Sequence, residues 1–244
     1  MSYGFLLLLL DVALIVHAVK TGKSPIWVMV ILMLPGIGAL TYGVVEILPG
    51  LMGSPGARKA QASLAKTINP TKRYDELKDQ LTVVDTIANR SALAGEALEL
   101  GKNDEALTQY RAIVAMPMGD EPAFYLGLAR AQFATADHAG AVKTLEEIKA
   151  RWPDYTSPDG HLLYARALEG AGRTEEALAN YADVASYYPG VEPKARQAQL
   201  LAKLGQGAAA SALAADVVAS LTRAPRHVRE TQREWLAVAK QLSR

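Results

Sequence analysis

The chain has 244 residues, is 50% hydrophobic and 21% charged, and contains no cysteine. A formal net charge of +1 excludes a general nucleic-acid binder. The lack of cysteine excludes disulfides and thiolate metal sites. Charge is unevenly spread: residues 1–73 hold seven Lys or Arg against Asp11 and Glu46, a balance of +5, and the remainder hold 19 against 23, a balance of −4.

Two apolar runs come first, about Tyr3 to Val19 and Ile26 to Leu48, joined by "KTGKSP". A bilayer crossing takes about 20 apolar residues, and the second run has that length. No basic stretch precedes the leucines and no small-x-small cleavage signal follows closely, so a signal peptide fits less well. The expectation is a transmembrane helical hairpin over residues 1–48. Asp11 inside the first helix is either a functional carboxylate or a structural one, facing the second helix or sitting in a locally thinned bilayer. Pro35, Gly36 and Gly38 predict a kink and close helix contact. Residues 49–73 read as a basic juxtamembrane linker, in which Arg58, Lys59 and Lys66 would meet anionic lipid headgroups. The positive-inside rule then places the rest of the chain on the cytoplasmic side of a bacterial inner membrane.

The aspartate in a leucine-rich helix, the basic turn and "PIWVMVILMLPGIGALTYG" resemble the N-terminal anchor of bacterial cardiolipin synthases and related phospholipase D-type proteins. Only the anchor carries over. The family's chemistry needs a His-x-Lys-x4-Asp signature, and none of His17, His138, His161 and His227 has a lysine two residues on.

From about Tyr74 the pattern is helical to the end, with no alternating strand signal. "GKNDEALTQYRAI", "ADHAGAVKTLEEI" and "GRTEEALANYADV" repeat one design. A small residue (Ala106, Ala141, Ala177) precedes a bulky one by four (Tyr110, Leu145, Tyr181), and a branched aliphatic follows three later (Ile113, Ile148, Val184). Pro117, Pro153 and Pro189 close the three copies, and Ala210, Ala214 and Val217 mark a degenerate fourth. Asp104 and Thr174 are candidate helix caps. The pattern resembles the tetratricopeptide repeat (TPR), a helix–turn–helix unit that buries its apolar face only against neighbouring copies. The expected fold is all-α: the hairpin, a repeat solenoid of three to four units over 74–224, and a capping helix over 225–244.

The resemblance implies that the first helix of each repeat lines a concave groove. In this register the groove positions are Ala88, Ser91 and Leu98; Leu126, Arg130 and Phe133; Leu162, Arg166 and Glu169; and Ala195, Gln199 and Lys203. Arg130 and Arg166 sit 36 residues apart at equivalent places. Together they could clamp a carboxylate by bidentate hydrogen bonds, or each could simply pair with a neighbour such as Glu169. Tyr125, Tyr164 and Leu168 read as packing, and His161 as either a cap-region or a groove residue. No G-x-S-x-G occurs and the histidines lack metal-ligand spacing, so neither an enzyme nor a metal or other cofactor is expected. The architecture also resembles membrane-anchored repeat scaffolds of bacterial envelope assembly, which implies a protein partner held in the groove. The alternative is an accessory subunit of an integral-membrane or lipid enzyme, with the hairpin making the main contact.

Overall fold

The computed structural model describes residues 3–47 and 69–243, with side chains described from residue 10 onward. The basic residues Arg58, Lys59 and Lys66 lie outside them. The chain divides into two compact units, residues 1–72 and 73–244. All regular structure among the described residues is helical.

In the first unit α1 spans Tyr3–Lys20, α2 Ile26–Met33 and α3 Ile37–Tyr42, and a π-helical turn covers Gly43–Ile47. The run read as one spanning helix is therefore broken. Pro35 has no N–H to continue the ladder and pushes Leu34 out of helical geometry, at φ −129° and ψ 73°. Gly36 then takes φ +82°, a turn that suits glycine. Gly38 brings α3 against α2 so closely that a Cβ there would lie 2.8 Å from the Ile31 Cα. The helix contact expected of these residues is present, but it folds the run back instead of extending it. Asp11 is buried, and its Oδ1 accepts a hydrogen bond from the Gly36 N–H at 3.3 Å, so it holds this turn. Ala18, Ile31 and Tyr42 form a small core with Trp27 edge-on to Tyr42. Glu46 accepts from the Trp27 indole at 3.0 Å and pairs with Lys23 at 2.6 Å.

Among the described residues no helix is long and apolar enough to cross a membrane. The first helix carries Asp11 and His17 within its 18 residues, and the second run is split into pieces of eight, six and five. This overturns the transmembrane hairpin and, with it, the multi-pass placement in a bacterial inner membrane.

The helix α4 (Lys72–Val83) begins at the boundary between the units, and its Tyr74 is buried against the first repeat. Four helix pairs follow: α5 (Ile87–Glu99) with α6 (Asn103–Val114), α7 (Pro122–Ala134) with α8 (His138–Arg151), α9 (Pro158–Gly170) with α10 (Thr174–Ala185), and α11 (Glu192–Lys203) with α12 (Gly207–Arg223). The expected capping helix is two shorter ones, α13 (Arg226–Thr231) and α14 (Arg233–Leu242), parted at Gln232.

The repeat code packs as its spacing requires. Ala106, Ala141, Ala177 and Ala210 are buried, as are the bulky and branched residues that follow them. Gly127 shows how close neighbouring repeats come, since a Cβ there would sit 2.8 Å from Tyr110 Cδ1. Each pair turns through one residue with positive φ: Gly101, Ala136, Gly172 and Gly205. The N–H that follows each bonds back to the carbonyl five residues earlier, as in Arg173 to Leu168 at 2.9 Å. Helix starts are capped by Thr86, Asp137 and Ser157 rather than by Asp104 or Thr174, which lie in the first turns of α6 and α10. Proline enters at the first or second position of α7, α9 and α11, where its missing N–H costs nothing.

Candidate partner-binding face

The first helix of each pair starts at a fixed place, so residues in equivalent turns line up along the array. Arg130 and Arg166 are each the ninth residue of their helices, α7 and α9. Arg130 is exposed, with no hydrogen bond or ion pair among the described residues. Arg166 is half-buried. Its guanidinium carbon lies 4.7 Å from the centre of the Phe133 ring, a contact that joins α9 to α7. Its Nε is buried without a hydrogen-bond partner. Burial, with Arg196 next in importance, pulls the Arg166 pKa below the ordinary guanidinium value. The charge is therefore held where a second cation and the protein interior both disfavour it, and an incoming anion would relieve that.

Glu169, the carboxylate best placed in sequence to neutralise Arg166, is engaged elsewhere. Its Oε2 accepts from the Tyr181 hydroxyl at 2.8 Å, and its Oε1 pairs with Lys203 at 2.8 Å. The Tyr181 phenol is itself pushed well up, first by burial and then by Glu169. Glu192 is taken by Arg196 at 2.7 Å, and Arg196 stacks on Trp235 at 4.8 Å. Gln199 is half-buried.

Several of the expected groove residues are core. Leu126 (6% exposed) packs with Leu145, Ile148 and Leu163, and Leu162 (4%) packs with Leu168 and Tyr181. Alanines at 129, 165 and 198 have no exposure, so adjacent helices close over this position. Ala195 is buried for the same reason, Leu98 packs into the first-repeat core, Ser91 is half-buried, and Ala88 is exposed. Of the expected groove residues, Arg130, Phe133, Arg166, Glu169, Gln199 and Lys203 keep exposed or half-buried side chains, whereas Leu126 and Leu162 do not. Sequence reading missed three neighbours. His138 lies 5.0 Å from Phe133 with its Nδ1 buried and unpartnered, Arg196 acts electrostatically on Arg166, and Trp235 stacks under Arg196. Glu192 and Arg196, four apart on one helix, were the only available signal. No group of His, Asp and Glu among the described residues is arranged to hold a metal ion.

Comparison with known proteins agrees with this architecture. One tetratricopeptide-repeat family model matches residues 97–167 and another matches residues 159–190. Residues 97–190 therefore carry tetratricopeptide repeats. Among solved structures the chain is similar to a thermophilic TPR protein of Thermus thermophilus, with a TM-score of 0.52 and 19% identity over 72% of this chain and 95% of that one. It is also similar to MamA, with a TM-score of 0.49 and 14% identity over 78% of this chain and 94% of that one. The first of these likenesses establishes the fold. No curated protein matches. Neither family model reaches residues 1–48, so the likeness of that stretch to the cardiolipin synthase anchor gains no support.

Proposed function

We propose that the repeat unit is a non-enzymatic protein-interaction scaffold whose first-helix face takes an acidic segment of a partner, with Arg130 and Arg166 holding its carboxylates. The observation that carries this reading is the buried, unpartnered Nε of Arg166 on the Phe133 ring, while Glu169 is committed to Lys203 and Tyr181. A guanidinium so placed has one face covered by the ring, and its Nη groups, which make no hydrogen bond among the described residues, remain for a planar carboxylate. Lys203 and Glu169 then act as a fixed pair that borders the face and keeps Glu169 from competing for the arginines.

The test is affinity capture from a lysate of the source organism, with the full chain and with Arg130→Ala, Arg166→Ala and the double variant as baits. Each bait is checked by thermal melting. Hydrogen bonds to charged groups contribute about 1.5–3 kcal/mol each, so each single change should weaken the partner about tenfold or more with folding intact. Arg166→Lys keeps the charge but loses the bidentate fork and should fall between. Partners captured equally by all four baits would sink the proposal.

A further inference from the structure

The edge of the array where α8 ends and α9 begins encloses a cavity of about 470 Å³. That volume lies within the roughly 300–1,000 Å³ of pockets that bury small ligands. Its walls come from the last turns of α8, the connector 152–157, the first turns of α9 and the C-terminal end of α10. Trp152, Tyr155, Tyr164 and Tyr187 supply aromatic surface, with Leu145 and Ile148 behind them. Of the arginine face, only the rejected Leu126 reaches this cavity.

The walls are held in place by bonds made at their edges. The Tyr164 hydroxyl donates to Glu146 Oε1 at 3.0 Å, and the same oxygen accepts from Arg173 at 2.9 Å. Arg151, fixed by Glu147 and Asp120, stacks on Trp152 at 4.4 Å. His161 is clamped between the Tyr187 hydroxyl at Nδ1 and Asn180 Oδ1 at Nε2. Tyr187, 52% exposed, is thereby tethered to the cavity wall rather than free in solvent. Aromatic walls fixed before a ligand arrives spare it the cost of ordering them.

Charge decides which ligand fits. The cavity is lined by one carboxylate, Glu146, and one ammonium, Lys149. Glu146 is already neutralised by Arg173. Lys149 makes no ion pair or hydrogen bond among the described residues. An aromatic enclosure with a free carboxylate would favour a quaternary ammonium, but here the uncommitted charge is positive. We infer that the cavity between α8, α9 and α10 binds a compact apolar or aromatic group carrying a carboxylate, the ring lying among Trp152, Tyr155, Tyr164 and Tyr187 and the carboxylate meeting Lys149. The C-terminal aromatic residue of a peptide and a free aromatic acid share this chemistry.

The experiment titrates the full chain by calorimetry with four probes: acetyl-Ala-Ala-Phe with a free carboxylate, its carboxamide, 3-phenylpropionate, and phenethyltrimethylammonium. The free-carboxylate peptide should bind, the carboxamide at least tenfold more weakly, and the cation not at all. Lys149→Gln should cost about tenfold, while Lys143→Gln, an exposed change elsewhere on α8, should cost nothing. The Trp152 indole N–H should shift in the nitrogen–proton NMR spectrum on binding. Binding by 3-phenylpropionate as tight as the peptide assigns the site to a free acid, and binding by the peptide alone assigns it to a chain terminus. Equal binding of carboxylate and carboxamide, tighter binding of the cation, or no binding by either acid overturns the inference. Arg130→Ala and Arg166→Ala should leave these titrations unchanged, so failure here and failure of the scaffold reading are told apart.

Discussion

The N-terminal unit exposes Leu10, Val12, Val16, Val19 and nine further large apolar side chains, whereas the larger repeat unit exposes only Val83, Val84, Met118, Tyr187 and Leu204 among the described residues. The first unit is the richer in leucine and valine, yet among its described residues it buries little more than Ala18, Ile31, Ala39 and Tyr42. Apolar content alone does not make a core. Burial requires surfaces that repeat at the helical period and small residues that let helices approach. The repeats have both, in the Ala–Tyr–Ile spacing of each second helix. The N-terminal unit has apolar residues on every side of short helices, so some of them must face outward. Proline shows the same contrast: Pro35 cuts a helix, whereas Pro122, Pro158 and Pro193 each begin one.

Truncating one leucine in each unit tests this difference most sharply. Leu168 has no exposure, and Leu168→Ala should cost about 2–5 kcal/mol in chemical unfolding. Leu32 is 66% exposed, and Leu32→Ala should stay within about 0.5 kcal/mol of the parent. Comparable losses would mean that the N-terminal apolar face is covered in solution and that the contrast is false.

A smaller effect concerns Tyr181, the fully buried bulky residue of the third repeat. Tyr181→Phe removes its bond to Glu169 and should cost about 1 kcal/mol at neutral pH. Burial raises the folded-state pKa of this phenol above that of the unfolded chain. Its contribution is therefore fully present below about pH 10 and is lost as pH rises from there toward the folded value, because only the unfolded state then releases the proton. Denaturant midpoints measured between pH 8 and 11 should fall less steeply in Tyr181→Phe than in the parent. Parallel slopes would show that other groups carry the alkaline loss.

The smallest expected change sharpens the repeat register itself. Ala136 holds φ +62° where the other three turns have glycine, and a left-handed conformation costs an L-residue about 1–2 kcal/mol. Ala136→Gly should gain about 0.5 kcal/mol after the entropy glycine adds to the unfolded chain, raising Tm by about 1–2 °C in calorimetry. A fall in Tm would show that this turn is built differently from its three counterparts.

The repeats were readable because their information is local. Alanine, a bulky residue four later and an aliphatic three after that fall on one helix face whatever surrounds them, and a repeat of this period leaves stacking as the way to bury that face. Misreadings arose where a residue's role depended on a neighbour distant in sequence. Residues 26–48 met the length requirement for a spanning helix, but the turn at Pro35 and Gly36 is secured by Asp11, 25 residues away. Leu126 and Leu162 shared the groove register of Arg130 and Arg166, yet the alanines of adjacent helices bring those helices close enough to cover them.

The sequence by itself determined the all-helical repeat fold, the place of each second helix and the equivalence of Arg130 with Arg166, because these follow from spacing along one chain. Tertiary structure alone decided that Glu169 serves Lys203 and Tyr181 instead of Arg166. It likewise decided that His161, Tyr187 and Asn180 line a cavity together with Lys149, which has no ion pair among the described residues. Which carboxylate an arginine meets depends on distances of a few ångströms between helices, and these are set by how side chains interlock across the interface rather than by any interval in the sequence.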